Sequence, residues 1–386
     1  MDNSKITVYV GMSGGVDSSL TAALLKERGF NVVGVYMKNW TQDLPGMKCP
    51  WAEDLADAKR VAVQLGIDFK VFDFEKDYRE KVVQYMIDEY SAGRTPNPDI
   101  MCNQEVKFKL FLEAALEDGA DFIATGHYAG VRREKSVLSS SIKATASEAE
   151  GFERDETDFS EVFTTSNLIR AKDDNKDQTY FLYRVQGSAL AKTMLPLGKF
   201  TKPEVRKMAE DRGLFTARKK DSQGICFVGK IGIRDFLKQF IPEQKPGKII
   251  NREAGETLGW HDGAIFYTLG QRHGLNVGGG LPFYVCGKNM ETNEVFVSTD
   301  INSSELWTDK IRLSSVHWIN RIAEQGEKIE IRVRHRAPLV EATIYFDGED
   351  FENATLELSS EQRAITAGQS VVFYSGDVCL GGGIVV

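Results

Sequence analysis

The chain has 386 residues, of which 27% are charged and 42% hydrophobic, enough for two or three soluble domains with real cores. No apolar run approaches the ~18 residues needed to cross a bilayer, and five cysteines without a CxxC pair do not make a disulfide framework, which predicts a reducing compartment. A formal net charge of −8 argues against a general nucleic-acid binder, although basic residues crowd at Arg206, Lys207, Arg212, Arg218, Lys219 and Lys220 and alternate at Arg332, Arg334 and Arg336.

Residues 6–11 form an apolar run ending in glycine, a predicted strand. Helical spacing follows at 18–28, with Leu20, Ala23, Leu24 and Glu27. The same alternation continues with a strand at 32–37, a helix at 55–65, a strand at 69–74, helices at 78–90 and 106–116, and a short buried strand at 122–125. Strands alternating with helices of this length predict a doubly wound parallel sheet. Ligands in such sheets bind beyond the carboxyl ends of the strands, so the loops after Val10, Tyr36, Phe74 and Thr125 are candidates. The stretch 132–160, rich in Ser and Glu, reads as an exposed, mobile insertion. Helical patterns resume at 178–185 and 202–212. From about residue 247, short β-like runs alternate with turns such as Gly278-Gly279-Gly280. The runs at 329–333, 340–346, 354–358, 370–374 and 380–385 suit a small antiparallel barrel. The expected division is an α/β domain over 1–228, a small β-rich central domain over 229–306 and a C-terminal antiparallel β-barrel over 307–386.

Between the first strand and the first helix lies Gly11-Met12-Ser13-Gly14-Gly15-Val16-Asp17-Ser18-Ser19. Glycines let backbone N–H groups approach an anion, serine hydroxyls add donors, and the helix start adds its positive dipole end. The run is neither a Walker A loop nor GxGxxG. Asp17 beside a phosphate calls for a bridging Mg²⁺, so it is the candidate metal ligand. A glycine turn capped at a helix start is the plainer use of such residues. Two glycines, three serines and an aspartate together weigh against it.

Two cysteines sit in polar, loop-rich settings. Cys102 ends a run with two prolines, Thr95-Pro96-Asn97-Pro98-Asp99-Ile100-Met101-Cys102, and a helix is expected from about Gln104, which would lower the thiol pKa. Cys226 follows Lys219 and Lys220, which also favour a thiolate. Cys286 and Cys379 read as small buried hydrophobes, and Cys49 stays unassigned.

The phosphate loop resembles the SGGxDS loop of ATP pyrophosphatases, the PP-loop group, which split ATP between the α- and β-phosphates. Further pieces occur in the order found in tRNA-specific 2-thiouridylases: Met37-Lys38-Asn39-Trp40, the segment 93–103, Ala124-Thr125-Gly126-His127-Tyr128, Lys176-Asp177-Gln178, Ser222-Gln223-Gly224-Ile225-Cys226-Phe227, Tyr267-Thr268-Leu269-Gly270-Gln271-Arg272 and Gly376-Asp377-Val378-Cys379-Leu380-Gly381. The match spans nearly the whole chain, with the 132–160 insertion longer than is typical.

This resemblance implies an α/β, HUP-like PP-loop domain, a central domain that contacts tRNA, a C-terminal barrel, and ATP-dependent 2-thiolation of the wobble uridine. It implies ATP contacts at Gly11, Met12, Ser13, Gly14, Gly15, Val16, Asp17, Ser18, Met37 and Gly126. It implies a flipped target base held by Asn97, Pro98 and Asp99, and tRNA contacts at His127, Lys176, Asp177, Gln178, Arg334, His335 and Gln369. Cys226 would carry a persulfide and Cys102 would be its partner nucleophile, with a disulfide between them as one route. The cofactors are ATP and Mg²⁺. The partners are tRNA of the glutamate, glutamine and lysine acceptors and a sulfur-relay protein or cysteine desulfurase, with no membrane. A bacterial cytoplasm is the default location, with no leader expected before Ile6 and a mitochondrial homologue left open. Three readings compete: an iron–sulfur cluster on Asp99, Cys102 and Cys226, a PP-loop ligase adenylating a small molecule, and a non-catalytic RNA binder.

Overall fold

The computed structural model describes residues 2–43, 49–134, 165–221, 232–241, 245–275, 277–278 and 280–386. Cys226 and nearly all of the predicted insertion lie outside the described residues.

The apolar strands and intervening helices of the first part build a parallel sheet. In chain order they are β1 (Thr7–Gly11), α1 (Val16–Glu27), β2 (Asn31–Lys38), α2 (Trp51–Leu65) and β3 (Asp68–Asp73). A helix α3 follows through Glu75–Tyr78, Arg79–Val83 and Gln84–Ser91. Helix α4 runs through Pro98–Met101, Cys102–Leu110 and Phe111–Glu117, its middle part wound with wider π turns. Then come β4 (Phe122–Ala124), the pair β5 (Gly130–Glu134) and β6 (Thr165–Ile169), β7 (Thr193–Met194) and α5 (Lys202–Asp211).

The sheet order is β3-β2-β1-β4-β7, with every pairing parallel. Successive side chains of β1 serve opposite faces: Val8 and Val10 pack with Ala22, Leu25 and Val61, whereas Tyr9 packs with Phe111 and Ile123. The strand order reverses between β1 and β4. That switch point opens the crevice in which ligands of such sheets bind.

After a helix α6 (Ile233–Phe240), four strands form the central sheet: β8 (Gly247–Asn251), β9 (Thr257–His261), β10 (Tyr284–Asn289) and β11 (Glu294–Ser298), in the order β10-β11-β8-β9. They enclose a small core of Ile249, Tyr267, Val285, Val295 and Val297. The last strands are β12 (Trp307–Trp318), β13 (Lys328–Arg332), β14 (Val340–Phe346), β15 (Ala354–Arg363), β16 (Ser370–Ser375) and β17 (Val378–Val385). They close as β12-β15-β14-β13-β16-β17, with β17 returning to β12, which removes every edge.

Two departures from the sequence reading have local causes. The hairpin of β5 and β6 extends the barrel sheet through β17, where Ile169 pairs with Val378 and Leu168 with Cys379. Residues 132–134 therefore belong to a strand and not to the insertion. Strand β12 was not expected, because register shifts at Thr308/Lys310 and at Ser314/His317, with Ser315 at φ +50°, break its alternation.

Candidate active site

The loop between β1 and α1 lies at the switch point, where backbone fit and not side-chain chemistry shapes it. Gly14 has φ +72°, and a Cβ there would stand 2.5 Å from the Asp54 carbonyl oxygen. Gly126, just past β4, approaches so closely that a Cβ would lie 2.8 Å from the Asp17 carbonyl carbon and 2.9 Å from the Ser18 nitrogen. Gly15 is the N-cap of α1 and brings no side-chain oxygen, so its first-turn donors have no side-chain cap. Ser13 N–H donates to Ser18 Oγ at 3.2 Å, and the two hydroxyls are 3.3 Å apart. Met37 closes over the loop's start, its Cε 2.9 Å from where a Gly11 Cβ would sit. Met12 and Val16 turn their side chains into the core and can offer a ligand only backbone.

Gly14→Ala should lower stability by roughly 1–3 kcal/mol, from the left-handed backbone and the backbone collision together. ATP affinity should fall at least tenfold. Urea titration and calorimetric ATP titration of the same variant check both, and an unchanged ATP affinity would contradict this reading of the loop.

Asp17 does not stand free for a cation. Its carboxylate accepts from Lys202 Nζ at 2.7 and 2.8 Å and from the Tyr128 hydroxyl at 2.8 Å. Lys202 also bonds Asp221 at 2.9 Å, and Asp221 takes Lys176 at 2.8 Å and Arg206 at 2.7 Å. Burial alone would raise the Asp221 carboxyl, but Lys176 and Lys202 pull it down to about 2. Lys219 is held by Asp54 at 2.9 Å and Asp57 at 2.8 Å, so its charge is already matched.

The setting of Cys102 differs from the expected one. Asn97 is an N-cap, its side chain accepting from Asp99 N–H, and Pro98 is the first helical residue. The helix thus starts before Cys102, which lies a turn inside it and is 4% exposed. Asp99, not Cys102, occupies the first turn, and burial raises its carboxyl pKa, Lys107 opposing. The segment before the helix is gripped from three sides. Thr95 N–H donates to the Ala367 carbonyl of the barrel at 2.8 Å, the Thr95 and Thr268 hydroxyls are 3.1 Å apart, and Met290, in the turn between β10 and β11, packs on Gly93. Asn103, buried beside Cys102, donates to the Phe181 carbonyl at 2.9 Å. The two subsites are joined by neighbouring residues: Gly126 lies on the phosphate loop, and the His127 ring packs against Phe108 of α4 at 5.6 Å.

The expected tRNA contacts divide. Asp177 is corrected: it is 0% exposed, bonds Thr179 and the Ala171 N–H, and pairs with Arg332 across the junction with the barrel at 2.9 Å. That is a structural bond out of reach of RNA, and it takes Arg332 with it. His127 is likewise buried, its Nδ1 2.7 Å from the Thr125 hydroxyl, and burial drives its pKa well down. It is a wall of the site and not a surface contact. Gln178 pairs with the Tyr128 N–H at 2.9 Å, and Lys176 with Asp221. Gln369 is half-buried beside the turn that receives Thr95.

Arg334 and His335 do lie at the junction. The His335 ring packs against Phe181, tilted, at 4.6 Å between centroids, and burial, then Arg336, lowers its pKa to about 4. Arg334 donates to the Arg363 and Ala364 carbonyls. At the same junction the Arg363 guanidinium lies 5.0 Å over the Tyr284 ring.

Comparison with known proteins agrees along the whole length. Profiles of the tRNA methyl transferase HUP domain, the tRNA methyl transferase PRC-barrel domain and the aminomethyltransferase beta-barrel domain match residues 6–230, 234–299 and 308–385. A tRNA-specific 2-thiouridylase of Streptococcus sanguinis is 44% identical over 390 residues, spanning 100% of this chain and 96% of the relative. One of Halalkalibacterium halodurans is 46% identical over 382 residues, spanning 98% and 94%. Among solved structures, a 4-thiouridine synthetase–RNA complex with bound ATP is 17% identical, covers 61% of this chain and 50% of its own, and gives a TM-score of 0.35, too slight a likeness to build on.

Proposed function

The chain belongs to the tRNA-specific 2-thiouridylase family, and on that premise we propose that it replaces the C2 oxygen of the wobble uridine of tRNA with sulfur, using ATP. It is a sulfur-transferring enzyme acting on tRNA uridine. The observation that carries the ATP-dependent reading is the meeting of Gly126 with the phosphate loop, next to the residue that packs on the Cys102 helix. The profile descriptions speak of methyl transfer. Methyl transfer has no use for a pyrophosphate loop beside a buried cysteine, whereas adenylation followed by sulfur transfer uses both.

ATP would lie in the switch-point crevice, its phosphates on the loop 11–18 and its remaining groups near Met37 and Gly126. The uridine would enter at Asn97, Pro98 and Asp99. Its C2 oxygen attacks the α-phosphorus and pyrophosphate leaves. The poor carbonyl leaving group thereby becomes AMP. Asp99, whose carboxyl pKa is raised by burial, would stand beside the base and exchange a proton with it. The terminal sulfur of a Cys226 persulfide then attacks C2 and expels AMP. The Cys102 thiolate attacks the Cys226 sulfur, leaving the terminal sulfur on C2 and a disulfide between the two cysteines, which an external thiol reduces. In the other route Cys102 attacks the persulfide first, and the hydrosulfide released attacks C2.

Magnesium would arrive on the nucleotide's phosphates, with Asp17 the carboxylate the loop can offer once Lys202 gives way. An iron–sulfur cluster on Asp99, Cys102 and Cys226 is the less favoured reading, because two thiols and one carboxylate fall short of the usual four-cysteine set. The partners proposed are tRNA of the glutamate, glutamine and lysine acceptors, contacted at Arg334, His335 and Gln369, and a persulfide-carrying sulfur donor.

Adenylation at C2 is tested with tRNA carrying ¹⁸O at that uridine oxygen. One ¹⁸O should appear in AMP for each sulfur installed. AMP free of the label would rule out activation at that oxygen.

A further inference from the structure

The basic run Arg218-Lys219-Lys220 has no part in the reaction outlined above. It ends at Asp221, and Cys226 follows five residues later, a length of chain that reaches at most about 18 Å. The Ala217 and Lys219 carbonyls and the Asp221 carboxylate all bond one guanidinium, that of Arg206, so the chain leaves for Cys226 from beside this run. The turn Phe215–Arg218 lies near α2, where Gln64 donates to the Gly213 carbonyl at 2.8 Å.

The surface here is apolar at its centre. Val63 is 82% exposed and Phe215 39%. Arg60, one helical turn before Val63, lies 4.5 Å over the Phe215 ring, so the three side chains form one continuous patch. Cations surround it. Lys59 and Lys220 are exposed and carry no ion pair among the described residues. Arg218 reaches Glu210 at 3.1 Å, and Asp57, 3.8 Å from Arg60, is already held by Lys219. On a chain of net charge −8 this is a local positive field.

The patch also lies away from the seam where the three domains meet. Helix α2 covers one face of the parallel sheet, with Val61 packed beside Val8 and Val10, whereas α4 lies on the other, where Phe111 meets Tyr9. The central domain and the barrel grip the segment before α4, at Gly93 and Thr95. An RNA seated in that seam leaves the α2 side free, and a surface centred on an exposed valine has little to offer a phosphate backbone.

We propose that the patch of Arg60, Val63 and Phe215 is the docking surface for the protein that supplies persulfide sulfur, a partner with an acidic rim around an apolar centre. This rests on the sulfur-transfer reading given above. A protein footprint of about 800 Å² is a disc about 16 Å in radius, wide enough to cover the patch and the exit of the chain towards Cys226. In the docked pair the Cys226 thiolate attacks the terminal sulfur of the donor's persulfide. The donor's S–S bond breaks, its thiolate leaves, and Cys226 holds the persulfide. Transfer RNA and sulfur donor thus approach from opposite faces of the sheet and need not exchange places within a cycle.

The test compares two sulfur sources in thiolation of unmodified tRNA by the full chain: a purified cysteine desulfurase fed with cysteine, and sodium sulfide, whose hydrosulfide needs no docking. The double variant Val63→Asp/Phe215→Ser changes exposed positions only. It should raise the KM for the desulfurase roughly tenfold or more, as expected for the centre of a protein interface, and leave the KM for sulfide and for tRNA within about twofold. Arg60→Glu should act in the same direction, more strongly at low salt. An unchanged desulfurase KM in both variants overturns the proposal. An equal rise in the tRNA KM overturns it by making the patch an RNA surface, and an equal loss with sulfide by assigning it to the fold. Wild-type protein that thiolates with sulfide and not with the desulfurase overturns the choice of partner. Wild-type protein that forms no 2-thiouridine from either source overturns the sulfur-transfer reading itself, so the two failures are distinguishable.

Discussion

Cys102→Ser is expected to abolish formation of 2-thiouridine, by on the order of a thousandfold or more, while tRNA-dependent release of pyrophosphate continues. The substitution replaces one atom in a buried site held by Asn97, Pro98 and Asn103, so helix α4 should survive it. A serine hydroxyl cannot take over attack on a disulfide or persulfide sulfur. Adenylation precedes that attack and uses the loop at 11–18, on a different element. The variant should therefore uncouple the half-reactions. If pyrophosphate release and sulfur insertion fell together, Cys102 would serve the fold or substrate binding and not sulfur transfer. Full thiolation activity in the variant would remove the two-cysteine mechanism.

Asp177→Ala should be among the most destabilising single changes in the chain, at roughly 3–5 kcal/mol. The carboxylate is fully buried, receives the Ala171 N–H and the Thr179 hydroxyl, and is the partner of Arg332, itself 4% exposed. Removing it leaves a guanidinium in the interior at the seam between the α/β domain and the barrel. Replacing both partners, as in Asp177→Leu/Arg332→Met, should recover much of the loss, because the cost lies in the stranded charge more than in the lost attraction. Midpoints of urea unfolding for the two variants decide the matter. A single variant within about 1 kcal/mol of wild type would show that water reaches the pair and that an RNA-facing role for Asp177 should be reopened.

How much could be read in advance follows from how local each feature is. The phosphate loop is a contiguous strand, glycine pair and helix start, and every part of its signature lies within a few residues. Most barrel strands announce themselves by alternation. Strand β12 does not, because its register shifts twice, and the β5–β6 hairpin is split by the Ser- and Glu-rich segment. The start of α4 is legible but lies earlier than expected: Asn97-Pro98-Asp99 is an N-cap followed by a first-turn proline, ahead of the start expected at about Gln104. Burial of Cys286 and Cys379 was anticipated, and it pushes the Cys286 thiol up to about 11 and the Cys379 thiol further still. The long-range ion pairs had no local signal at all. Lys202 and Asp17 are 185 positions apart, and Arg332 and Asp177 are 155 apart. Resemblance gives Lys176-Asp177-Gln178 as tRNA contacts, but only the fold shows Asp177 turned inward while Lys176 joins the cluster behind the phosphate loop.

The central claim is that this chain puts sulfur on C2 of a wobble uridine. It is tested most directly by incubating the purified protein with unmodified tRNA, ATP, magnesium and a persulfide donor, then digesting the tRNA and measuring its nucleosides by mass spectrometry. The account predicts 2-thiouridine at the wobble position, dependent on ATP and matched by AMP. Well-folded protein that consumes no ATP and yields no 2-thiouridine, or yields sulfur at another position of the base, would contradict it.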